Sequence, residues 1–409
     1  MRLFVALGPG DIVGAHRARL SGEDIKETSI AYSEQLFDYC KAAQIPTDAV
    51  SQHPRRDSLR DGVLRIENQP KPSWGRSGLG YHLAMLYIAV RLAVRARIFR
   101  ADIALIDSGT THYFALAVFR LLGVRVAVNL HNVLWPQGFE PAGRLQKFIR
   151  QLNAWFFQHL ASGGIGVSPE CERQVLREAR GRIPFFQYRC QFSLRGIRPS
   201  SPYEGGPFRI VCAARMERNK GVLDIPEISK GLQSLLDTPV VFHVCGNGPV
   251  LEALRDKVAA DGLRDSVIVH GRLERTALLD VYANSHAVIV PTRSTFTEGM
   301  PQVCAEAVLC DLPVITSSVA NAFDVLGPAI VRATVDDTDS YVSAIGTLVS
   351  DRACYERHRS ACSSCTAQFT DRRHGYAAAV ERLFLHLGLT EKITDLGPET
   401  WQPIEGAAR

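Results

Sequence analysis

A chain of 409 residues exceeds what one hydrophobic core usually organises, so the length predicts two domains of roughly 150–200 residues each. A composition 46% hydrophobic and 22% charged excludes a disordered polymer, and a net charge of only +5 excludes a nucleic-acid-binding signature. That mild positive balance suits a protein that meets phosphates or an anionic membrane surface.

The first residues, MRLFVALGPG, read as a strand (Leu3–Leu7) entering a turn at Gly8, Gly10 and Gly14, not as an export signal. A very apolar helical stretch follows at Tyr81–Arg100. Arg91 and Arg95 interrupt it, so no segment is expected to reach the roughly 18 residues of a membrane span. Strands are predicted at Ile103–Ile106 and Val124–Leu130, an amphipathic helix at Arg144–Leu160, a strand at Ile165–Val167, and a helix capped by Ser168 that runs to about Arg180. Residues 199–207, PSSPYEGGP, form a linker. Beyond it, Arg209–Cys212, Val240–Cys245, Ser266–His270, Ala287–Pro291 and Pro313–Thr316 read as a second set of parallel strands.

The fold class is therefore α/β, with two doubly wound domains at 1–198 and 208–370. A helix over 371–388 is placed to cross back to the first domain, and 389–409 is a loosely held tail. Such domains leave a ligand cleft at the carboxyl ends of their strands. Ten cysteines without an export signal imply reduced, buried thiols and a cytoplasmic location. Cys354, His358, Cys362 and Cys365 fall on one helical stripe, which cannot wrap a zinc ion tetrahedrally, so no metal is expected.

The densest chemistry lies in Thr297–Ala307, TEGMPQVCAEA, between two strands. Pro301 suits the first turn of a helix, which leaves the Gly299 and Met300 N–H groups free for an anion or sugar oxygen. Glu298 could accept hydrogen bonds from sugar hydroxyls, and Glu306, one to two turns deeper, could grip a ribose diol. Arg215 and Lys220, just past the strand Arg209–Cys212, are placed to clamp a diphosphate or else form a solvated basic loop. Gly246-Asn247-Gly248-Pro249 makes a glycine turn between a strand and a helix.

Together these segments resemble the GT-B retaining glycosyltransferases of family 4. Members carry a Gly-Arg-Leu…Lys-Gly segment, matched here by Ala214-Arg215-Met216 and Lys220-Gly221. Their Gly-x-Gly-Pro turn is matched at Gly246–Pro249, and their Glu-x7-Glu motif at Glu298 and Glu306. The strand Val126–Leu130 followed by His131 looks like the family's strand ending in histidine.

The resemblance implies two Rossmann-like domains facing each other across a cleft, and a donor that is a UDP- or GDP-linked sugar. Arg215 and Lys220 would stabilise the leaving diphosphate, and Glu298 would bind the transferred sugar. Glu306 would bind the ribose, with Gly246, Asn247, Gly248, Gly299, Met300 and Pro301 around the donor, and His131 would lie near the reacting carbon. Gly8 and Gly10 would face the acceptor, a glycan or a lipid-linked molecule. No cofactor or metal is implied, because two fixed cations supply the charge.

Departures concentrate on the acceptor side: Gly8-Pro9-Gly10 replaces a Gly-Gly pair, and Phe185–Phe192 stands where the family has Pro-Asn-Gly. The stripe Leu145, Phe148, Ile149, Leu152, Trp155 and Phe156, with Arg144, Lys147 and Arg150 beside it, belongs either to the core or to a contact with the inner face of the cell membrane. A GT-B isomerase or phosphorylase and a non-catalytic nucleotide-binding subunit are the alternative readings.

Overall fold

The computed structural model describes residues 1–22, 28–74 and 77–391. Of the tail expected at 389–409, residues 392–409 lie outside that set. The first half runs β1 (Leu3–Ala6), α1 (Ile12–Leu20), β2 (Ser29–Ile30), α2 (Tyr32–Ala42), β3 (Thr47–Ser51), β4 (Asp57–Asp61), β5 (Leu64–Asn68) and α3 (Gly78–Ile98). It continues through β6 (Ile103–Asp107), α4 (Ala117–Leu121), β7 (Arg125–Leu130), α5 (Arg144–His159), β8 (Gly163–Gly166), α6 (Pro169–Ala179), β9 (Phe185–Gln187) and β10 (Gln191–Phe192). Eight of these strands form one sheet in the order β4-β5-β3-β1-β6-β7-β8-β9, parallel except where β4 folds back on β5. The short strands β2 and β10 pair with each other.

The second half runs β11 (Phe208–Ala213), α7 (Ile225–Leu235), β12 (Val240–Cys245), α8 (Leu251–Ala260), β13 (Val267–Gly271), α9 (Arg275–Ala283) and β14 (Ala287–Val290). After these come α10 (Gln302–Leu309), β15 (Val314–Thr316), α11 (Phe323–Leu326), β16 (Ile330–Arg332), α12 (Thr338–Ser350), α13 (Arg352–Cys362) and α14 (Tyr376–His386). Its sheet is parallel, in the order β13-β12-β11-β14-β15-β16. The inner strands are continuous apolar runs, such as LFVA in β1 and AVIV in β14, because helices cover both faces. In both sheets the winding direction reverses beside the first strand, between β1 and β6 and between β11 and β14. α14 returns to the first half and packs on α2, β8 and β9.

Several expectations need correction. Gly14 lies inside α1, where its N–H bonds the Asp11 cap at 2.8 Å, rather than in the turn. Strands β3, β4, β5, β9 and β16 escaped the periodicity reading. β4 (DSLRD) is polar throughout, and β9 and β16 span only three residues each.

α3 spans 21 residues and is, by length and composition, apolar enough to cross a membrane. This corrects the expectation that Arg91 and Arg95 keep the apolar run too short; the Arg95 guanidinium is paired to Asp48 at 2.6 Å and Glu67 at 2.7 Å. One face of α3 (Ala84, Met85, Ile88, Ala89, Leu92, Ala93, Ala96) is buried against the sheet. In α5 only Phe156 and Phe157 are buried, whereas Leu145, Phe148 and Trp155 are 60%, 55% and 48% exposed, so most of that stripe is not core. All ten cysteines are free and buried. Cys365 packs its sulfur on the Leu326 carbonyl at 3.3 Å, and His358 bonds the Pro328 carbonyl at 2.6 Å.

A buried charge network ties α1 to α2 and β4. His16 is 2% exposed, with Nδ1 2.9 Å from Glu34 and Nε2 3.0 Å from Asp61. Arg19 bonds Glu34 and Asp38, and Lys41 bonds Asp61. Burial alone would lower the imidazole's proton affinity, but hydrogen bonds and charge from Glu34 and Asp61 outweigh it and raise the pKa. A raised folded pKa contributes stability that is complete below the unfolded value, about 6.5, and is lost as pH rises through the folded value. The stability gap between wild type and His16→Gln, measured by urea unfolding, should be largest near about pH 6 and shrink towards about pH 9. A gap independent of pH would show that the His16 proton holds nothing.

Candidate active site

Three loops of the second half meet at its strand-order reversal. Residues 213–221 leave β11, residues 246–250 leave β12, and residues 291–301 join β14 to α10. The first two interlock: the Ala214 N–H bonds the Cys245 carbonyl, the Met216 N–H the Asn247 carbonyl, and the Val250 N–H the Met216 carbonyl, each at 3.0 Å. Gly246 has φ +142, and a Cβ there would sit 1.9 Å from the Ala214 carbonyl oxygen, so only glycine allows this approach. The glycine turn therefore shapes the loop that carries Arg215.

Lys220 forms an ion pair with Glu298, and both side chains are mostly buried. The ammonium lies 4.2 Å from the Phe296 ring centroid, and the Arg215 guanidinium 5.9 Å from the same ring. Arg215 is 63% exposed and paired to Glu217 at 2.8 Å. Lys220 is thus a neutralised cation, and Arg215 is the one that faces solvent. Asn321 Nδ2 fixes the Glu298 carbonyl at 2.5 Å. Among the described residues, Asn219 Oδ1, Thr292 Oγ1 and Asn321 Oδ1 are buried around this cluster without hydrogen-bond partners.

Pro301 stands as the cap of α10 rather than in its first turn. Glu306, in the second turn, receives hydrogen bonds from Tyr282 OH at 2.6 Å and from Thr28 of the first half. Ser29 bonds Gln302 at 3.0 Å. Met300 is buried in the core, and Gly10 stands in the bend after β1 without a side-chain partner among the described residues.

Across the cleft, His131 directly follows β7. Its Nε2 lies 2.9 Å from Asp107 Oδ2 and its Nδ1 3.0 Å from Tyr188 OH. Asp107 also accepts from the Gly8 N–H at 3.1 Å and from Asn129 Nδ2 at 2.7 Å. The single Tyr188 O–H also lies 2.8 Å from Asn129 Oδ1, and burial opposes its ionisation. The ring stacks on Tyr32 with centroids 5.0 Å apart. Gly299 abuts the His131 backbone so closely that a Cβ would fall 1.8 Å from its carbonyl oxygen. The two halves therefore touch at the site: Lys220, Glu298, Gly299 and His131 form one continuous patch, with Gly8 joined through Asp107.

Residues 195–364 match the family described as Glycosyl transferases group 1. Over that stretch the chain is similar to this family. A 2-deoxystreptamine N-acetyl-D-glucosaminyltransferase of Streptomyces fradiae is 28% identical over 192 residues, covering 46% of this chain and 44% of the relative. The chain thus spans less than half the length of this curated relative. Sucrose-phosphate synthase of Thermosynechococcus elongatus superposes with a TM-score of 0.68 at 15% identity, over 95% of this chain and 99% of that one. HepE of Anabaena, solved with UDP, superposes with a TM-score of 0.63 at 15% identity, over 95% and 100%. The fold is GT-B.

Sequence reasoning missed Asp107, Tyr188, Tyr32, Phe296 and Tyr282. Asp107 carries a usable signal, since it is an acidic residue closing an apolar strand at its carboxyl end. The aromatic residues carry none. Lys220→Met should strand Glu298 without its counter-charge and cost about 3–5 kcal/mol in urea unfolding, and adding Glu298→Gln should recover more than half of that loss. A double variant no more stable than the single one would show that the pair is not coupled.

Proposed function

We propose that this protein is a retaining, metal-independent glycosyltransferase that moves a sugar from a UDP- or GDP-linked donor to a glycan or lipid-linked acceptor. The observation that carries this reading is the Arg215, Lys220, Phe296 and Glu298 cluster at the reversal point of the group 1 domain, set against His131. Orphaned buried acceptors beside it suit donor hydroxyls. The diphosphate leaves against Arg215 and Lys220, two fixed cations that supply the charge a metal would otherwise bring. Both ring nitrogens of His131 are engaged, by Asp107 and Tyr188, so the ring suits positioning better than proton abstraction. The bond from the anomeric carbon to the phosphate breaks as the acceptor oxygen bonds the same face, and the acceptor proton passes to the leaving phosphate. Catalysis is then positioning plus charge stabilisation. UDP is the first donor nucleotide to test, because HepE was solved with it.

The acceptor side favours a membrane face. α3 contains no acidic residue and exposes Leu79, Leu83, Leu86, Tyr87, Val90 and Val94. The turn Tyr113–Leu116 touches both α3 and α5, so exposed Leu121, Leu145, Phe148 and Trp155 extend the same side. Arg97, Arg100, Arg120, Arg144 and Lys147 are exposed among them. Apolar area bordered by cations matches an anionic lipid surface, each nearby cation adding about 1 kcal/mol. Ten free cysteines suit the reducing, cytoplasmic side.

In EDTA buffer, UDP should raise the thermal midpoint and UDP-sugar should be slowly hydrolysed with retention. Arg215→Ala, an exposed site, should lower kcat/KM about 100-fold. Neither UDP nor GDP stabilising the protein, or activity that vanishes with EDTA and returns with Mg²⁺, would count against the respective claims. Flotation with anionic liposomes should carry the protein at low salt, and Leu83→Glu with Leu86→Glu should leave it behind. Wild type that stays in the soluble fraction overturns the membrane docking.

A further inference from the structure

The segment Phe185–Phe192, which departs from the family pattern, builds something of its own. Beside it lies a cavity of about 400 Å³, lined by this segment, Glu172 of α6, α14 and the turns that precede α14. That volume is within the range of small-molecule sites, roughly 300–1,000 Å³.

Arg189 is the wall of this cavity. Its guanidinium is held entirely by neutral oxygens. Nε donates to Gln368 at 2.9 Å, Nη1 to the Val167 and Tyr188 carbonyls at 3.3 and 3.0 Å, and Nη2 to Gln187 at 2.9 Å. Among the described residues no carboxylate comes within ion-pairing distance of it. Burial accordingly works against its charge. Guanidinium does not deprotonate in proteins, so Arg189 keeps a positive charge without a direct ion pair among the described residues.

Two further basic side chains reach the same cavity, the Arg382 guanidinium and the His374 imidazole. Arg382, from α14, donates to the Gln187 and Ala378 carbonyls at 3.1 and 3.2 Å and likewise has no carboxylate partner among the described residues. His374 lies exposed at the rim. The single acidic residue in the lining, Glu172, is engaged with the Gln187 amide. Four of the five Arg189 N–H groups are used by the bonds above, which leaves one Nη2 N–H, and Arg382 keeps three. These donors come from three separate elements. A tetrahedral oxyanion accepts from several directions, whereas a carboxylate accepts in one plane.

We propose that this cavity is a second ligand site, distinct from the cleft, that binds a phosphate group, either free or carried on a small phosphorylated molecule. Set against the Glu172 carboxylate, the two guanidiniums leave the described lining net positive, and Arg189, held only by neutral oxygens, is the residue that an anion would complete. The claim does not depend on the transferase reading.

Isothermal titration with inorganic phosphate at fixed ionic strength tests it. Wild type should bind phosphate, and Arg215→Ala, altered only in the cleft, should bind it equally well. Arg382→Ala, an exposed change that leaves the packing intact, should bind about tenfold more weakly. Arg189→Gln should show the same loss, and if that variant does not fold, Arg382→Ala carries the test alone. A sugar phosphate that binds more tightly than inorganic phosphate identifies a phosphorylated small molecule as the source, and equal binding identifies the free anion. No binding by wild type, equal binding by wild type and Arg382→Ala, or loss confined to Arg215→Ala would overturn the proposal.

Discussion

The reversal of strand order in each sheet is the constraint from which the rest of the site follows. Where winding switches from one side to the other, the loops after the two central strands diverge and leave a crevice that no helix covers. In the first half that crevice lies after β1 and β6 and presents Gly8 and Asp107. In the second it lies after β11 and β14 and presents Arg215, Lys220 and Glu298. Connections that wind right-handed give each loop only one way to point. The two crevices face each other because β7 ends one position further along the first sheet, bringing the His131 carbonyl onto the Gly299 backbone. That contact excludes any side chain at residue 299, so the distance between the halves is set by backbone, not by adjustable side chains.

Within the second crevice, preorganisation comes from loops that bond to each other before any ligand arrives. The turn at Gly246–Pro249 carries no charge, yet it fixes Ala214 and Met216 on either side of Arg215 through three backbone hydrogen bonds. Lys220 and Glu298 neutralise each other at low exposure, which makes their burial tolerable. The same pairing means that the more exposed cation an anionic ligand meets is Arg215, which is paired to Glu217. In the proposed transferase the sugar and the diphosphate would divide this pair between them, each charge exchanging its partner for a piece of the donor.

Much of this architecture was legible in the sequence, and the failures have physical causes. Buried parallel strands announce themselves as apolar runs, so β1, β6, β7, β11, β12, β14 and β15 were visible. β3 (TDAVS) is fully buried yet polar, because Asp48 at its centre is neutralised by Arg95 from α3. That pair, 47 residues apart, also lets Arg95 sit within the long apolar run of α3. Charged residues on a helix read as breaks only if their partners are invisible. The glutamates of the Glu-x7-Glu motif were found from spacing, but not their present partners. Tyr282 meets Glu306 from 24 positions away and Thr28 from 278, and no local pattern encodes either contact.

The partners of Glu306 bear on how the proposed donor site would open. Thr28 and Ser29 belong to the first half and bond to Glu306 and Gln302 in the first turns of α10. A ribose bound by Glu306 would have to take over hydrogen bonds that now cross between the halves. Separating them is not a matter of swinging about the 199–207 linker alone. The larger hydrophobic cluster runs without a gap from the first sheet through α9 and α10 to α14, and the chain crosses a second time ahead of α14. Two crossings and a shared apolar core restrict the motion to a small rotation or a local exchange at β2. The local exchange is the less costly route, since β2 is two residues long and, among the described residues, pairs with β10 alone. Displacing it breaks few bonds, whereas opening the core would expose apolar area at about 25 cal/mol per Å².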